Sequence, residues 1–152
     1  MRIKIIASCV LMMLMYAGAQ AQVKHKAKPK AKHSTTTGLA ASIAKGKTVY
    51  MQTCVSCHQV DGGGVQNMNP PLIKTTYVLG DKTKLITIVL NGFNESVEIE
   101  GNTYSNTMPS HDFLKDEDIA NVLTFVRNSF GNKAPAVTAA EVTKVRAAVK
   151  KT

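Results

Sequence analysis

Apolar positions along the chain change texture several times, and each texture predicts a different element. Ile5 to Ala17 is a near-continuous apolar run. Residues 22–38 have almost nothing to bury, and residues 39–57 read as a helical run. Leu85, Ile86, Ile88, Val89 and Leu90 make an apolar helix that Asn91-Gly92 ends, the expected stop signal. Val97 to Glu100 alternate apolar with acidic before Gly101-Asn102, which predicts a small hairpin. Ile119, Val122, Leu123, Phe125 and Val126 recur at helical spacing and form one apolar stripe. Thr138 with Glu141 has the spacing of a capping box, opening a short extra helix within residues 134–152. The pattern is all-α with one small β-hairpin.

The N-terminus sets the compartment. Arg2 and Lys4 precede the apolar run, and small residues at Ala17, Ala19 and Ala21 follow it, as in a secretory signal peptide cleaved near Ala21. A run of 13 residues (5–17) is short of the ~20 that a spanning helix needs. Ile6-Ala7-Ser8-Cys9 loosely resembles a lipoprotein box, but too little apolar sequence precedes it, so Cys9 is read as part of the discarded leader, with lipidation the alternative. Residues 1–21 are therefore the signal peptide, and the protein is expected in the periplasm or otherwise exported.

Charge then divides the remainder. Residues 22–38 carry five lysines and no acid, alternating with small residues around Pro29, a composition that repels itself and stays extended as a linker. From residue 39 onward 12 Lys plus Arg face 10 Asp plus Glu, so the overall excess of +9 belongs mostly to leader and linker. Nucleic acid is a poor partner for an exported chain whose folded part is nearly neutral; loose contact with an anionic membrane surface through the basic segment, or a plain solvated spacer, fits better. Residues 39–133 remain as one domain. With no Trp and few aromatic residues its protein-only core is thin, and a cofactor is a common remedy.

The sequence CVSCH at residues 54–58 supplies the candidate chemistry. Two cysteines three apart suit a disulfide, a thiol redox pair, half a zinc site, or attachment of c-type haem. A redox pair expects alternating strands and helices around it, and zinc expects a second Cys or His pair at ligand spacing. Neither is present in the pattern; the other histidines are His25 and His33 in the linker and His111. On a helix Cys54 and Cys57 share a face, so each can form a thioether to one edge of a porphyrin while His58 presents its imidazole to the iron. Chance would give this pattern in about one chain in 700 of this length and composition. The opposite axial position has four candidates, Met51, Met68, Met108 and His111. Met51 shares the helix of the cysteines and Met68 follows too closely, whereas Met108, in a turn-rich segment fixed by Pro109, is far enough along to reach the other side.

With these residues in place, the chain resembles a class I c-type cytochrome, the single-haem bacterial type that also occurs fused to quinoprotein dehydrogenases and oxidase subunits. The resemblance is carried by GKTVYMQTCVSCHQVDGGGV, NPPL, VLNGF, TMPSH and EDIANVLTFVRNSFGN, in that order across residues 45–132. It implies a cytochrome c fold in which an N-terminal helix carrying Gly46 and Tyr50 crosses the C-terminal helix over one covalently attached haem c. It implies Cys54 and Cys57 as the thioether residues and His58 and Met108 as axial ligands. A proline carbonyl, of Pro70 or Pro71, should accept the N–H of His58, Leu72 should pack on the haem, and the hairpin should bring Tyr104 and Met108 to it. The sequence departs from the family pattern at Ser110-His111, where relatives place small and aromatic residues. Around that loop Glu95, Glu98, Glu100, Asp112, Asp116, Glu117 and Asp118 are acidic, so the partner should differ from the acidic ones that mitochondrial relatives dock through lysines.

Three function classes follow. The first is a periplasmic electron-transfer protein, not an enzyme, exchanging electrons with a dehydrogenase or respiratory complex. The second is the haem subunit of a dehydrogenase or oxidase complex. The third is a haem-based gas sensor, which would need an open sixth position.

Overall fold

The computed structural model describes residues 35–149; the segment read as a leader, Cys9 and the Lys-rich segment up to residue 34, with residues 150–152, lie outside the described residues. Helix α1 spans Thr35–Thr53, so it begins four residues inside the segment read as linker. Its alanines at 40, 41 and 44 favour a helix, and its last turn closes with the Thr53 hydroxyl donating to the Val49 carbonyl at 2.9 Å. After a local break at Cys54, a single turn, α2, runs Val55–His58.

A further short helix, α3 at Thr76–Leu79, was not evident in the apolar pattern; Thr75 caps it by accepting the Val78 N–H. Helix α4, Lys82–Asn91, starts where the Asp81 carboxylate accepts the Lys84 N–H at 2.7 Å and ends at Gly92, whose φ is 76°. The hairpin follows: β1, Val97–Ile99, pairs antiparallel with β2, Asn102–Tyr104, in the register Val97↔Tyr104 and Ile99↔Asn102. Its turn lies one residue earlier than Gly101-Asn102. Asn102 already pairs with Ile99, so Glu100 (φ 51°) and Gly101 (φ 76°) make the two-residue turn, in which both positions need positive φ. Helix α5, Asp116–Arg127, carries acids in its first turn and Arg127 in its last, matching its dipole. Helix α6, Ala139–Val149, completes the order. Among the described residues the architecture is the expected mostly helical one with a single two-stranded sheet.

The crossing of α1 and α5 is the centre of the packing. A Cβ at Gly46 would stand 2.0 Å from the Asn121 carbonyl oxygen, so only glycine permits this approach. Ser42 Oγ donates to Asn121 Oδ1 at 2.7 Å beside it. Tyr50, completely buried, forms an aromatic triad with Phe125 and Phe130 at centroid distances of 5.3 and 5.4 Å. The α5 stripe, Ile119, Val122, Leu123, Phe125 and Val126, is buried as a set.

Helix α6 packs on α4 and α5 through Val142 and Val145, both buried. Its capping box forms: Thr138 N–H donates to Glu141 Oε2 at 2.7 Å, and Glu141 N–H to Thr138 Oγ1 at 3.3 Å. Lys82 bonds Glu141 at 2.9 Å at one end, and Arg146 reaches Asp116 at 2.7 Å near the other. Buried polar groups finish the join. Thr124 Oγ1 both donates to and accepts from the Val137 backbone, and Arg127 donates to the carbonyls of Val78 and Pro135.

Candidate functional site

A cleft of about 220 Å³ enters the domain between α2, the 69–72 loop, α4, the hairpin, the 106–111 loop and α5. Cys54, Cys57, His58, Pro70, Pro71, Leu72, Tyr104 and Met108 all line it, so residues spread over more than fifty positions of sequence converge on one space. Of the other two methionines considered, Met51 is 46% and Met68 49% exposed, and neither lines the cleft. His111 does line it, but its Nδ1 donates to the Pro109 carbonyl at 2.9 Å and its ring lies against Phe113 at 5.7 Å.

His58 is held in one protonation form. Its Nδ1 lies 3.0 Å from the Pro70 carbonyl, and a carbonyl only accepts, so Nδ1 carries the proton and Nε2 keeps its lone pair. Burial pushes the imidazole below its ordinary pKa, outweighing the opposing effect of the Pro70 carbonyl, and His111 adds a smaller push in the same direction. The ring is thus a neutral donor, the form that binds a metal. Of the two prolines, Pro70 makes the bond, while Pro71 only lines the wall.

The loop after the cysteines is built to place that carbonyl. Gly64 N–H donates to the His58 carbonyl at 3.1 Å, Leu72 N–H to the Gly62 carbonyl at 2.7 Å, and Val65 bridges Asn69. A Cβ on Gly64, at φ 67°, would stand 2.3 Å from the Asn69 oxygen. Asn132 secures the far end, donating to the Leu72 and Val126 carbonyls at 2.8 Å each while accepting the Lys74 N–H at 2.7 Å. Sequence reading gave Asn132 no role. A lone polar residue past a helix end has no local pattern from which such distant partners could be inferred.

Met108 is presented by a loop stapled to the end of α4. Its N–H and carbonyl exchange bonds with Phe93 at 2.7 and 2.9 Å. Ser110 Oγ donates to the Leu90 carbonyl at 2.5 Å, and His111 N–H to the Val89 carbonyl at 2.9 Å. At Ser110 the departure has a structural use, since its hydroxyl holds the loop against the helix; the bond at His111 is made by the backbone and does not depend on the imidazole.

Cys54 and Cys57 are free thiols, Cys54 half-buried and Cys57 exposed, and burial raises the Cys54 thiol pKa. Among the described residues no group of three or more His, Cys, Asp or Glu is placed to hold a metal ion.

The sequence profile of the cytochrome c family matches residues 43–130, the stretch from mid-α1 to just beyond α5. The chain belongs to the cytochrome c family. It is similar to a cytochrome c-552 of Thermus thermophilus, 35% identical over 119 residues that cover 72% of this chain and 80% of that one. It is also similar to the cytochrome c subunit of a quinone alcohol dehydrogenase of Gluconacetobacter polyoxogenes, 37% identical over 123 residues, and to the gluconate 2-dehydrogenase cytochrome c subunit of Pantoea cypripedii, 36% identical over 105 residues. The chain spans about a quarter of the length of those two subunits.

Family membership implies haem c, bound covalently, as the cofactor of this cytochrome. The residues fit it: two thiols, a neutral imidazole with a free lone pair and a thioether face one apolar cleft.

Proposed function

We propose that this cytochrome c is a periplasmic electron carrier, with Cys54 and Cys57 anchoring one haem through thioethers and His58 and Met108 as its axial ligands. The observation that carries the reading is the convergence on one cleft of His58, fixed as a donor by the Pro70 carbonyl, and Met108, fixed by the Phe93 pairing. The bound haem supplies one-electron redox chemistry, ferrous to ferric and back.

This chain's own residues do the rest. Pro70 orients His58 and raises its basicity. The apolar walls, with Leu72, Val89 and Leu123, exclude water, which favours the less charged reduced state. The pinned Met108 loop resists rearrangement, and a carrier that changes little between states transfers quickly.

Two relatives named as subunits of quinone dehydrogenases favour a second reading, in which the domain serves as the haem subunit of such a complex. The match to a cytochrome c-552 over most of both chains favours the free carrier. Donor and acceptor are in either case redox proteins such as a periplasmic dehydrogenase or a respiratory complex. Expression of the full chain with the c-type maturation machinery tests the cofactor assignment: the denatured protein should be heavier by one haem, and Cys54→Ala should weaken or abolish that gain. A protein that loses all haem on denaturation would contradict it.

A further inference from the structure

We propose that Arg127, which does not line the cleft, acts through its wall: the buried guanidinium, shut in by residues 134–137, shifts the haem equilibrium toward the ferrous form. The inference rests on the electron-carrier reading. Among the described residues Arg127 is the one buried Asp, Glu, Lys or Arg, with 2% of its surface exposed. Water and salt weaken the reach of charges that face them, and a buried charge is screened much less.

Carbonyls hold the guanidinium in place. Its Nε donates to Pro135 at 2.9 Å, and one terminal nitrogen donates to Val78 at 2.5 Å and to Gly80 at 3.3 Å. Val78 and Gly80 lie at the end of α3, where a helix leaves carbonyls without partners of its own. The segment after α5 is fastened on both sides of Pro135. Ala134 N–H donates to the Arg127 carbonyl at 3.0 Å, and both backbone groups of Val137 bond Thr124 Oγ1. This segment lies beyond the residues 43–130 that the family profile matches.

A cap for α3 would account for the bonds but not for the charge. Carbonyls accept from a neutral donor as readily, and a guanidinium costs far more to bury. No carboxylate offsets it: among the described residues none stands within ion-pair distance, and Glu141, the acid that acts on it, is paired with Lys82 at 2.9 Å. Burial lowers the Arg127 pKa, yet a guanidinium keeps its proton inside a protein.

Val78, which Arg127 bonds, and Val126, which precedes it, both line the cleft. One packed layer, about 10 Å, therefore separates the charge from the cleft. At that distance and an effective dielectric of about 20, a unit charge shifts a one-charge equilibrium about tenfold. One electron from the redox partner takes the iron from ferric to ferrous and removes one positive charge, with no proton moved. A fixed cation opposes the more positive ferric form, so Arg127 raises the potential.

The test titrates the full holoprotein spectroelectrochemically, reading the ferrous-to-ferric ratio at the wild-type midpoint beside denaturant unfolding and the sulfur-to-iron charge-transfer band. Arg127→Gln, which keeps a donor, and Arg127→Met should each lower that ratio about tenfold, equivalent to about 59 mV for one electron, with the band intact. Arg127→Lys keeps the charge without the fork and should change the ratio less than about threefold. Thr124→Val breaks bonds to the same segment and touches no charge; it should lose stability and hold the ratio within about twofold. Neutral Arg127 variants that leave the ratio where Thr124→Val leaves it would make Arg127 a structural cap and overturn the proposal, as would a lysine variant shifted as far as the glutamine one. A wild type that lacks the band or cannot be reversibly reduced would sink the electron-carrier reading and the proposal together; an intact band with unmoved ratios sinks the proposal alone.

Discussion

At the scale of single residues, the site depends on a few backbone carbonyls being where a side chain needs them. His58 is neutral because burial disfavours its charged form, and the Pro70 carbonyl fixes its proton on Nδ1; Pro70 is placed by a loop that turns on Gly64. Gly92 does the same for the other side of the cleft. At its φ of 76° an added Cβ would stand 2.5 Å from the Met108 carbonyl oxygen. Gly92→Ala should therefore both strain the turn and push the Met108 loop away, costing about 1–3 kcal/mol. Thermal unfolding of the holoprotein would show the loss, and a parallel weakening of the sulfur-to-iron charge-transfer band would show that the loop moved. Unchanged stability and band together would mean that the loop has slack to absorb a methyl group.

Much of this scale was legible in sequence. CVSCH announces itself because its meaning is local, and Met108 could be preferred over Met51, which shares the helix of the cysteines, and Met68, which follows too closely, from its distance along the chain and the turn-rich segment fixed by Pro109. The residues that secure the loops were not legible. Asn132, Thr124 and Arg127 act on carbonyls contributed by distant segments, and no spacing rule connects a side chain to a backbone it meets only after folding.

At the scale of elements, α1 and α5 cross where Gly46 lets the backbones touch, and α6 adds a third layer over α5. The α5 stripe and the capping box were readable as patterns; the short α3 was not, being a single turn with too few residues to show a period. How α6 is fastened also escaped the sequence, since Lys82 and Glu141 are 59 positions apart. Burial works against ionisation of Glu141, but the Lys82 ammonium and the Thr138 N–H and hydroxyl prevail and hold its carboxyl below the usual carboxylate range. A carboxyl lowered by folding stabilises the fold above its unfolded pKa, about 4.3, and that contribution fades as pH falls through the folded value. Glu141→Gln, which can keep the capping-box bond but loses the charge paired with Lys82, should flatten the melting temperature's dependence on pH below about 4.3 while lowering stability at pH 7 by about 0.5 kcal/mol. An identical acid profile in the variant would mean that Glu141 is not held by these contacts.

Truncation tests the whole element. Ending the chain after residue 133 removes Val137, Val142 and Val145, all buried, and exposes the α5 surface beneath them. At about 1.5 kcal/mol per buried valine the expected loss is about 4–5 kcal/mol, measurable by denaturant unfolding. A loss below about 1 kcal/mol would show α6 to be an ornament on an independently stable domain.

At the scale of the whole molecule, the domain is organised around a space its own side chains do not fill. The thin aromatic content and missing Trp foretold a cofactor, and the cleft through the core agrees. The double variant Cys54→Ala/Cys57→Ala, which gives up covalent retention, should unfold at lower denaturant than holoprotein once the haem is lost, because a group that binds the native state no longer favours it. Equal midpoints would indicate that the empty domain collapses onto the space.

The central claim is that a thioether from Met108 completes the coordination begun by His58, making the site a carrier and not an open ligand-binding site. A soft sulfur ligand raises the potential and fills the position that carbon monoxide would need. The most direct measurement is the long-wavelength absorption of the ferric protein, where a sulfur-to-iron charge-transfer band reports this bond. The wild type should show the band. His111→Ala should keep it, and Met108→Ala should lose it while the reduced protein gains carbon monoxide binding. A native protein without the band, whose spectrum responds to His111→Ala and not to Met108→Ala, would contradict the account.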